Sequence, residues 1–561
     1  HQVPFLFTLC GGHISPIVVA ANKSNIRVVD VRHEASAVFA ADAVARLSGR
    51  PGVAAVTAGP GLTNTITAVK NAQLAQSPVI VLGGAAATLL KGRGALQDID
   101  QLALMTPHVK WATAVSRVAD IVPALEQAFA EAQEGVPGPV FVELPVDLLY
   151  PESLVREMVG SSGEGQGLRG RALGWYLRRH TSKLFENAWQ QRAGAPRSFD
   201  VPMATAGDLQ NAVVMLRQAR RPLLLVGSQA TLRAQWIEDV RQGVRQLGIP
   251  TFLSGMARGL LGSHALHIRH GRSRALREAD LIILAGVPCD FRLQYGRRLS
   301  RDAALLSINR SRDEMQQNCK PALAIQADAG AFLADLAAVW DSEGTDWLDW
   351  FTTLKQHDAA RDAEIAREAQ QETDFINPLF LCQELQSVID EDSVLIGDGG
   401  DFVATASYVV RPRGPLSWLD PGVFGTLGAG AGFALGARLT RPQADIWLLY
   451  GDGSAAYSLA EFDTFARHGF SFIAVVGNDA GWTQIAREQE PLLGDAIGTK
   501  LTYADYHLVA EGYGGVGLRV DNPVEVRATL EHAVRVAREG RPVLVNALLG
   551  KTTFRKGSIS M

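Results

Sequence analysis

The chain has 561 residues, of which 47% are hydrophobic and 20% charged, and its formal net charge is −4. This length predicts about three domains with well-buried cores, as in a large soluble enzyme. The slightly acidic balance argues against nucleic acid or an anionic membrane as the main partner. The four cysteines form no CxxC pair, which argues against a zinc site or a disulfide framework. No run of 18 apolar residues is present, so nothing in this chain predicts a membrane span.

Residues 1–158 alternate short apolar strands with helical patterns, which predicts a doubly wound parallel sheet. The strands are expected at 28–31, 53–57, 79–82 and 140–144. Residues 1–9 read as a strand with no helix before it, so we expect the natural start to lie upstream. The chain as given is predicted to be cytoplasmic. A membrane-anchored form, held by an upstream segment, stays open as the alternative.

Glu34 follows the 28–31 strand and opens a helical run that stops near Gly49. One interpretation is a first-turn carboxylate that complements the helix dipole. The other is a functional carboxyl group in an apolar setting of Ala35, Ala37 and Val38. The residues alone leave both interpretations open.

The remaining segments are assigned by composition and pattern. Residues 159–205 are predicted to be a linker, flexible at 160–167, where Gly and Ser dominate. A central domain at 206–340 follows, with strands at 222–226, 281–284 and 305–308. A linker at 341–376 contains a charged helical stretch at 347–372, and the last domain is expected at 377–561.

The most specific pattern lies in the last domain. The apolar run 446–450 ends in Gly451-Asp452-Gly453-Ser454, and a helical pattern is read from Ser454. A strand, a Gly-rich turn and a helix start form an anion site. Because an Asp in that turn repels a phosphate, a divalent cation is expected to bridge them. The strand 472–476 brings more oxygen ligands at 478–481, which suits Mg²⁺.

This spacing resembles that of the thiamine-diphosphate enzymes, whose signature joins GDG to a later NN or a close relative. The resemblance implies thiamine diphosphate and Mg²⁺ as cofactors, with Asp452, Asp479 and the Gly481 carbonyl as metal ligands. Asp479 stands where the family usually has Asn, and Mg²⁺ accepts either side chain. The resemblance also implies a catalytic role for Glu34, which would donate a hydrogen bond to the aminopyrimidine ring of the cofactor.

Three more segments are similar to cofactor-contacting loops of that family: 57–64, 398–402 and 425–432. Any one of these glycine runs is also compatible with tight packing of helices on a sheet. The residues carried over as cofactor contacts are Glu34, Gly59, Asn64, Gly399, Gly400, Asp401, Gly425, Leu427, Gly453, Ser454 and Trp482. Leu427 takes the place of the apolar residue that holds the cofactor bent. The implied fold class is α/β, with three doubly wound parallel-sheet domains: the thiamine-diphosphate-binding fold twice and a Rossmann-like middle domain.

Over its whole length the chain is similar to the branch that contains acetolactate synthase, oxalyl-CoA decarboxylase and 2-hydroxyacyl-CoA lyase. The resemblance implies cleavage of a 2-hydroxyacyl-CoA to formyl-CoA and an aldehyde one carbon shorter, or the reverse condensation. The alternatives are an acetolactate synthase-type carboligase or decarboxylase acting on 2-oxo acids, and a non-catalytic relative. Gln97 and His13 are carried over as substrate-side catalytic residues. The alternative interpretation is a solvated loop amide for Gln97 and a loop-capping imidazole for His13.

Two further expectations concern the middle domain and the assembly. The loop 286–296 has features of both the flavin type (Asp290, Arg292) and the CoA type (Tyr295, Gly296), so three alternatives stay open for this domain: ADP or CoA, FAD, or no nucleotide. Arg258 is read either as a phosphate ligand or as a surface residue. The resemblance implies a homodimer or homotetramer with the active site at the subunit interface.

Overall fold

The computed structural model describes residues 1–161 and 168–556. The chain divides into two compact units. The first comprises His1–Ala45 and Arg50–Asp200, and the second comprises Arg46–Gly49 and the chain from Val201 onward. The first unit contains one sheet and the second contains two. Each unit is therefore described by itself.

The described strands form three sheets, and their strands run parallel. The first holds β1 (Phe5–Thr8), β2 (Arg27–Asp30), β3 (Gly52–Val56), β4 (Val79–Ala85), β5 (Trp111–Ala114) and β6 (Val140–Pro145). The second holds β7 (Pro222–Val226), β8 (Thr251–Leu253), β9 (Leu281–Ala285), β10 (Ala304–Asn309) and β11 (Leu323–Gln326). The third holds β12 (Val394–Asp398), β13 (Trp418–Leu419), β14 (Ile446–Gly451), β15 (Ile473–Asn478), β16 (Val516–Val520) and β17 (Val543–Leu548).

Helices alternate with these strands. Up to the second sheet they are α1 (Ser15–Lys23), α2 (Glu34–Ser48), α3 (Pro60–Thr63), α4 (Ile66–Leu74), α5 (Gln101–Met105), α6 (Ile121–Gln133), α7 (Glu152–Ser161) and α8 (Leu168–Leu184). Around the second sheet lie α9 (Ala206–Gln218), α10 (Ile237–Leu247), α11 (Arg272–Glu278), α12 (Arg312–Met315), α13 (Ala329–Val339) and α14 (Leu348–Glu368). The third sheet has α15 (Pro378–Val388), α16 (Gly400–Val409), α17 (Gly430–Thr440), α18 (Asp452–Ala455), α19 (Glu461–His468), α20 (Thr483–Leu493), α21 (Tyr506–Gly512) and α22 (Val526–Arg538).

The expected α/β fold class with three parallel sheets is confirmed. Central strands such as β4, β9 and β14 are buried along their whole length, which explains their uninterrupted apolar sequences. The first sheet has the order β2-β1-β3-β4-β6-β5, and the third has β13-β12-β14-β15-β17-β16. These two orders are identical when strands are numbered within each sheet. The first and last domains are therefore two copies of one topology.

Strand order also fixes where ligands can bind. In open parallel sheets a crevice forms outside the carboxyl ends of the strands, where the order reverses. That point lies between β1 and β3 in the first sheet and between β12 and β14 in the third. In the second sheet it lies between β7 and β9. The glycine-rich segments singled out in the sequence follow β3, β12 and β14.

Two local expectations need adjustment. The helix after the Gly-Asp-Gly turn begins at Asp452 instead of Ser454 and ends at Ala455, and the longer α19 starts only at Glu461. Within the predicted linker 159–205, the helix α8 occupies Leu168–Leu184 and buries Thr181 and Leu184. The predicted flexible stretch at 160–167 falls largely on 162–167, which lie outside the described residues. The domain boundaries themselves stay predictions.

Candidate functional site

In the first unit, Glu34 opens α2 directly after the β2 strand, and its side chain is 8% exposed. Its Oε2 accepts a hydrogen bond of 3.0 Å from the Asn64 amide nitrogen. Gly61 lies on the other side of the carboxyl group, since a Cβ there would sit 3.7 Å from Glu34 Oε1. The turn after β3 therefore holds Glu34 at the carboxyl edge of the sheet, with one oxygen bonded to protein.

His13, Gln97 and Gly59 meet in the same unit. The side chains of His13 and Gln97 are hydrogen-bonded, and His13 Nδ1 lies 3.2 Å from Thr57 Oγ1. Burial lowers the pKa of the His13 imidazole, and the bond to Gln97 offsets part of that effect. Gly59 has φ of 60°, and a Cβ there would lie 2.8 Å from the main-chain oxygen of Gln97. Only glycine permits this approach.

In the second unit, Asp452 follows β14 and is almost fully buried. Its Oδ1 accepts from the Gly453 N–H at 2.8 Å, and its Oδ2 accepts from the Gly481 N–H at 2.9 Å. The carboxylate thus joins the turn after β14 to the turn after β15. Burial raises the pKa of Asp452, and these backbone donors oppose the increase.

Asp479 lies beside Asp452 at the end of β15. Burial raises the pKa of Asp479 to about 7. A hydrogen bond with Thr483 lowers this pKa, whereas repulsion from Asp452 and Asp401 raises it. Asp452 is buried and Asp479 is half-buried, and two carboxylates that repel each other in such a setting are unfavourable unless a cation neutralises them. Among the described residues, no group of three or more His, Cys, Asp or Glu side chains could hold a metal ion. A cation here would therefore need further oxygens from main-chain carbonyls or from a ligand.

The turns after β12 and β14 pack against each other through glycines. Gly399 and Gly400 have φ of 64° and 91°, and a Cβ on Gly399 would lie 2.2 Å from Leu427 Cδ2. Leu427 therefore rests on the main chain of this turn. The Ser454 hydroxyl donates to the main-chain oxygen of Asp398 and lies 3.0 Å from that of Gly451. This hydroxyl is used to join the two strand ends.

Two predicted contacts lie at the edges of this group. The Trp482 ring covers Gly453, where a Cβ would lie 2.5 Å from the indole. Asp401 is the second residue of α16, and its Oδ2 accepts from Arg487 Nη2 at 2.6 Å. Gly425, which has φ of 63°, lies in the loop that carries Leu427.

Asp398 was not singled out in the sequence as a site residue. It is fully buried at the end of β12, and its carboxylate accepts from Gly428 N at 3.0 Å and Gly430 N at 2.7 Å. Burial raises the pKa of Asp398 to about 7, although both donors favour the charged form. It ties the Leu427 loop to the third sheet. An acidic residue at the end of an apolar strand, directly before two glycines, was the available signal.

The crevice of the second sheet is occupied by polar side chains. Gln229 Nε2 donates to Asn309 Oδ1 at 2.7 Å, and Asn309 Nδ2 donates to Glu314 Oε2 at 3.2 Å. In the loop after β9, Arg292 Nη2 donates to Asp290 Oδ2 at 2.7 Å. The Asp and Arg read as a flavin feature therefore bind each other.

A separate cavity of about 540 Å³ lies in the second unit between the β8–α11 region and the end of α16. Six arginines line it: Arg258, Arg269, Arg272, Arg274, Arg277 and Arg411. None of the described residues lining it is acidic. Burial lowers the pKa of Arg272, and repulsion from Arg258 and Arg292 lowers it further. The cavity thus carries excess positive charge.

Arg258 belongs to this cavity and is not a free surface side chain. It donates to the main-chain oxygen of Ser407, and its guanidinium lies 5.0 Å from the ring centre of Trp418. Arg269 reaches the same helix end, donating to the main-chain oxygens of Tyr408 at 3.1 Å and Val409 at 2.6 Å. These contacts fix the arginines of the central domain against α16.

The predicted site residues thus form two groups. The first unit holds His13, Glu34, Gly59, Asn64 and Gln97, and the second holds Gly399, Gly400, Asp401, Gly425, Leu427, Asp452, Gly453, Ser454, Asp479, Gly481 and Trp482. The first group offers a carboxyl group and an imidazole for proton transfer. The second offers glycine turns and two unneutralised carboxylates for a phosphate with its cation.

Comparison with known proteins agrees with this layout. Three domains of the thiamine pyrophosphate enzyme family match: the N-terminal TPP binding domain at 1–104, the central domain at 209–336 and the C-terminal TPP binding domain at 398–547. The 2-hydroxyacyl-CoA lyase 2 of Danio rerio is 51% identical, over 100% of this chain and 92% of that protein. The human protein of the same name is 52% identical, over 100% and 90%. A probable acetolactate synthase of Mycobacterium bovis is 33% identical, over 97% and 92%.

Proposed function

The chain belongs to the thiamine pyrophosphate enzyme family, and on that premise we propose that it is a lyase that cleaves 2-hydroxyacyl-CoA. The products would be formyl-CoA and an aldehyde one carbon shorter. The identity of 51–52% with 2-hydroxyacyl-CoA lyases 2 over the full chain is the observation that carries this proposal. The 33% identity with an acetolactate synthase makes a 2-oxo acid carboligase the runner-up.

The residues present fit thiamine diphosphate with Mg²⁺. Asp452 and Asp479, together with the Gly481 carbonyl, would hold the cation, since the repulsion between the two carboxylates leaves like charges to be neutralised. The main chain of Gly399 and Gly400, with φ of 64° and 91°, would contact the diphosphate at this turn. When bound, the cofactor supplies the electron sink for carbon–carbon cleavage. The protein supplies orientation and proton transfer.

The first unit would perform the proton transfers. Glu34 would hold a proton at the aminopyrimidine ring, with its other oxygen steadied by Asn64. His13, which the lowered pKa keeps neutral near pH 7, would take the proton of the substrate hydroxyl group. Gln97 bonds His13 and would orient its ring toward the substrate.

The metal assignment has a direct test. Asp452→Ala removes the carboxylate that joins the two turns, so Mg²⁺-dependent retention of thiamine diphosphate should be lost. Retention is measured by calorimetry at fixed Mg²⁺. The control is Asp463→Ala on α19, a carboxylate paired with Arg467 on the helix surface. Unchanged retention in the Asp452 variant would remove this residue from the metal site.

The CoA part of the substrate has a candidate location. CoA carries a diphosphate and a further phosphate, and an arginine-lined cavity without acids suits such a polyanion. The helix α16 starts at the proposed diphosphate turn and ends at this cavity. Its ten residues span about 15 Å, a distance that an extended pantetheine arm bridges. We therefore propose CoA, and not FAD, as the ligand of this region.

Substitution of cavity arginines tests that location. Arg272→Ala and Arg277→Ala should each raise KM for the acyl-CoA by about tenfold, because one charge-assisted contact is lost, and leave kcat nearly unchanged. Arg301→Ala, at an exposed position before β10, is the control. An unchanged KM in both cavity variants would place the CoA elsewhere.

The activity itself is tested with purified protein, thiamine diphosphate and Mg²⁺. One sample receives a 2-hydroxyacyl-CoA and a parallel sample receives pyruvate. Formyl-CoA and a shortened aldehyde in the first sample are the expected result. Acetolactate in the second sample, with no cleavage in the first, would replace the lyase by the carboligase and make FAD the ligand to search for.

A further inference from the structure

A buried carboxylate in the first unit takes no part in the chemistry described above. Glu143 lies in β6 within the apolar sequence Val140–Pro145, and its side chain is 1% exposed. Burial of an ionisable group is unfavourable unless the group is bonded on all sides. Its contacts therefore show what the fold uses it for.

Both oxygens of Glu143 are engaged. Oε1 forms an ion pair with Lys91 Nζ. Oε2 accepts from Gln101 Nε2 at 3.0 Å. Gln101 is itself 2% exposed, so its amide is oriented by protein contacts and not by solvent. The two side chains form one buried network with Lys91 at its outer end.

Gln101 connects this network to the main chain next to the candidate site. Its Nε2 also donates to the main-chain oxygen of Gly84 at 3.0 Å, and its Oε1 accepts from the Gly59 N–H at 3.2 Å. Gly84 is the penultimate residue of β4, and Gly59 lies in the turn after β3, directly before α3. One amide thus fixes two neighbouring strand ends.

Those two strand ends are the surfaces on which His13 and Gln97 rest. A Cβ on Gly84 would lie 2.6 Å from the Cβ of His13, and one on Gly59 would lie 2.8 Å from the main-chain oxygen of Gln97. A shift of either strand end by an ångström would therefore move His13 or Gln97. Displacements of that size are large compared with the tolerance of catalytic groups.

Lys91 fixes the same region from outside. It belongs to the segment between β4 and α5 that carries Gln97. The segment is also held at Thr88, whose N–H donates to Asp147 Oδ1 at 3.1 Å, and it is bonded within itself by the Gly92 N–H, which donates to Asp98 Oδ2 at 2.6 Å. Through Glu143, Lys91 contacts the buried network.

We propose that Glu143 and Gln101 are positioning residues that set His13 and Gln97 in place for the reaction, with Lys91 as the outer partner of Glu143. Neither residue touches the reacting atoms. The proposal rests on the proposed function for its catalytic consequence. The placement of the His13 ring, however, is measurable without any substrate.

The first test is Gln101→Met, which keeps the side-chain volume and removes all three hydrogen bonds. The variant should lower kcat/KM by about tenfold or more. Histidine NMR should show the His13 titration midpoint falling, because the bond to Gln97 that favours the protonated ring is weakened. Gln133→Met on α6, which loses a single bond of 2.7 Å to the Phe129 oxygen, is the matched control and should change neither quantity.

An unchanged His13 titration in folded Gln101→Met would overturn the proposal, whatever the activity of the enzyme. If the wild-type protein lacks lyase activity, the titration still decides the positioning role. Failure of the positioning proposal can therefore be distinguished from failure of the proposed lyase function.

The second test uses the ion pair and does not depend on the Gln101 variant folding. Lys91→Met leaves the buried Glu143 charge unpaired, and Glu143→Gln leaves Lys91 unpaired, so each should lower kcat/KM. The double variant removes both charges and should lose no more than the worse single variant. Losses that simply multiply in the double variant would show that Lys91 does not act through Glu143.

Discussion

Glu34 illustrates how much one hydrogen bond narrows the role of a residue. Its Oε2 is bonded to Asn64, which leaves Oε1 as the oxygen able to meet a ligand. A first-turn carboxylate that only complemented the helix dipole would gain nothing from burial to 8% exposure. The contact with Asn64 therefore supports the catalytic interpretation of Glu34.

Substitution of Glu34 by Gln should separate catalysis from folding. The amide oxygen still accepts from Asn64, so the melting temperature and the affinity for thiamine diphosphate should change little. Turnover should fall by about a hundredfold or more, because the amide cannot exchange a proton with the cofactor. Steady-state kinetics and calorimetry measure the two quantities. Glu157→Gln, at an exposed position of α7, is the control, and undiminished turnover would disprove the role.

At the scale of elements, the candidate site depends on hydrogen bonds that join its loops and strand ends to one another. Asp398 binds the main chain of the loop that carries Leu427, and the Ser454 hydroxyl binds the strand end that carries Asp398. Neither contact involves the cofactor directly. The geometry of the turns is therefore set before any ligand arrives, as expected for a pre-organised site.

Asp398 also makes the stability of the folded protein depend on pH. Its pKa is about 7 in the folded protein, against an ordinary value of about 3.8 for an exposed aspartate, so between these values the folded state keeps a proton that the unfolded state has lost. The contribution of Asp398 to stability should therefore fall as pH rises through this window, by at most about 1.4 kcal/mol per pH unit. Above pH 7 both states are ionised and the decline should stop.

Asp398→Asn removes this titration while retaining an oxygen that accepts from the loop. Urea unfolding of the cofactor-free protein should show the variant gaining stability relative to wild type from pH 4 to 7. Asp392→Asn, in the exposed turn before β12, is the control. A stability difference that is constant across this pH range would contradict the assigned titration of Asp398.

At the scale of the whole molecule, the two groups of site residues lie in separate compact units. In the proposed function, Glu34 and Asp452 would nevertheless act on one cofactor. We propose that they do so across a subunit interface, in a homodimer or homotetramer, as the family resemblance implies. Homo-oligomers with twofold symmetry would then contain two equivalent sites per pair of chains.

Complementation between two inactive variants tests this arrangement. Glu34→Gln and Asp452→Ala chains, carrying different tags, are expressed together and the mixed dimer population is purified. Each mixed dimer has one intact site of its two, so activity should recover to about half of wild type. Each variant expressed with itself is the control. No recovery in verified mixed dimers would place both residues of a site in one chain.

The sequence alone determined the chemistry that is local to a strand end. The Gly-Asp-Gly turn, Asp479, Glu34 and the three parallel sheets follow from short patterns, because a strand, its turn and the next helix are adjacent in the chain. The sequence did not indicate the helix α8, since Gly and Arg are frequent in that segment. It also placed the helix after the Gly-Asp-Gly turn two residues late.

The tertiary structure decided which distant side chains support those motifs. Gln101 bonds Gly59 and Glu143 across 42 residues each, and the arginine cavity combines residues near 270 with the end of α16 near 410. Such contacts depend on strand order and on helix packing, and neither of these produces a periodic pattern in the sequence. The motifs proposed as catalytic were therefore readable from the chain, whereas the residues that hold them in place became visible only in the folded protein.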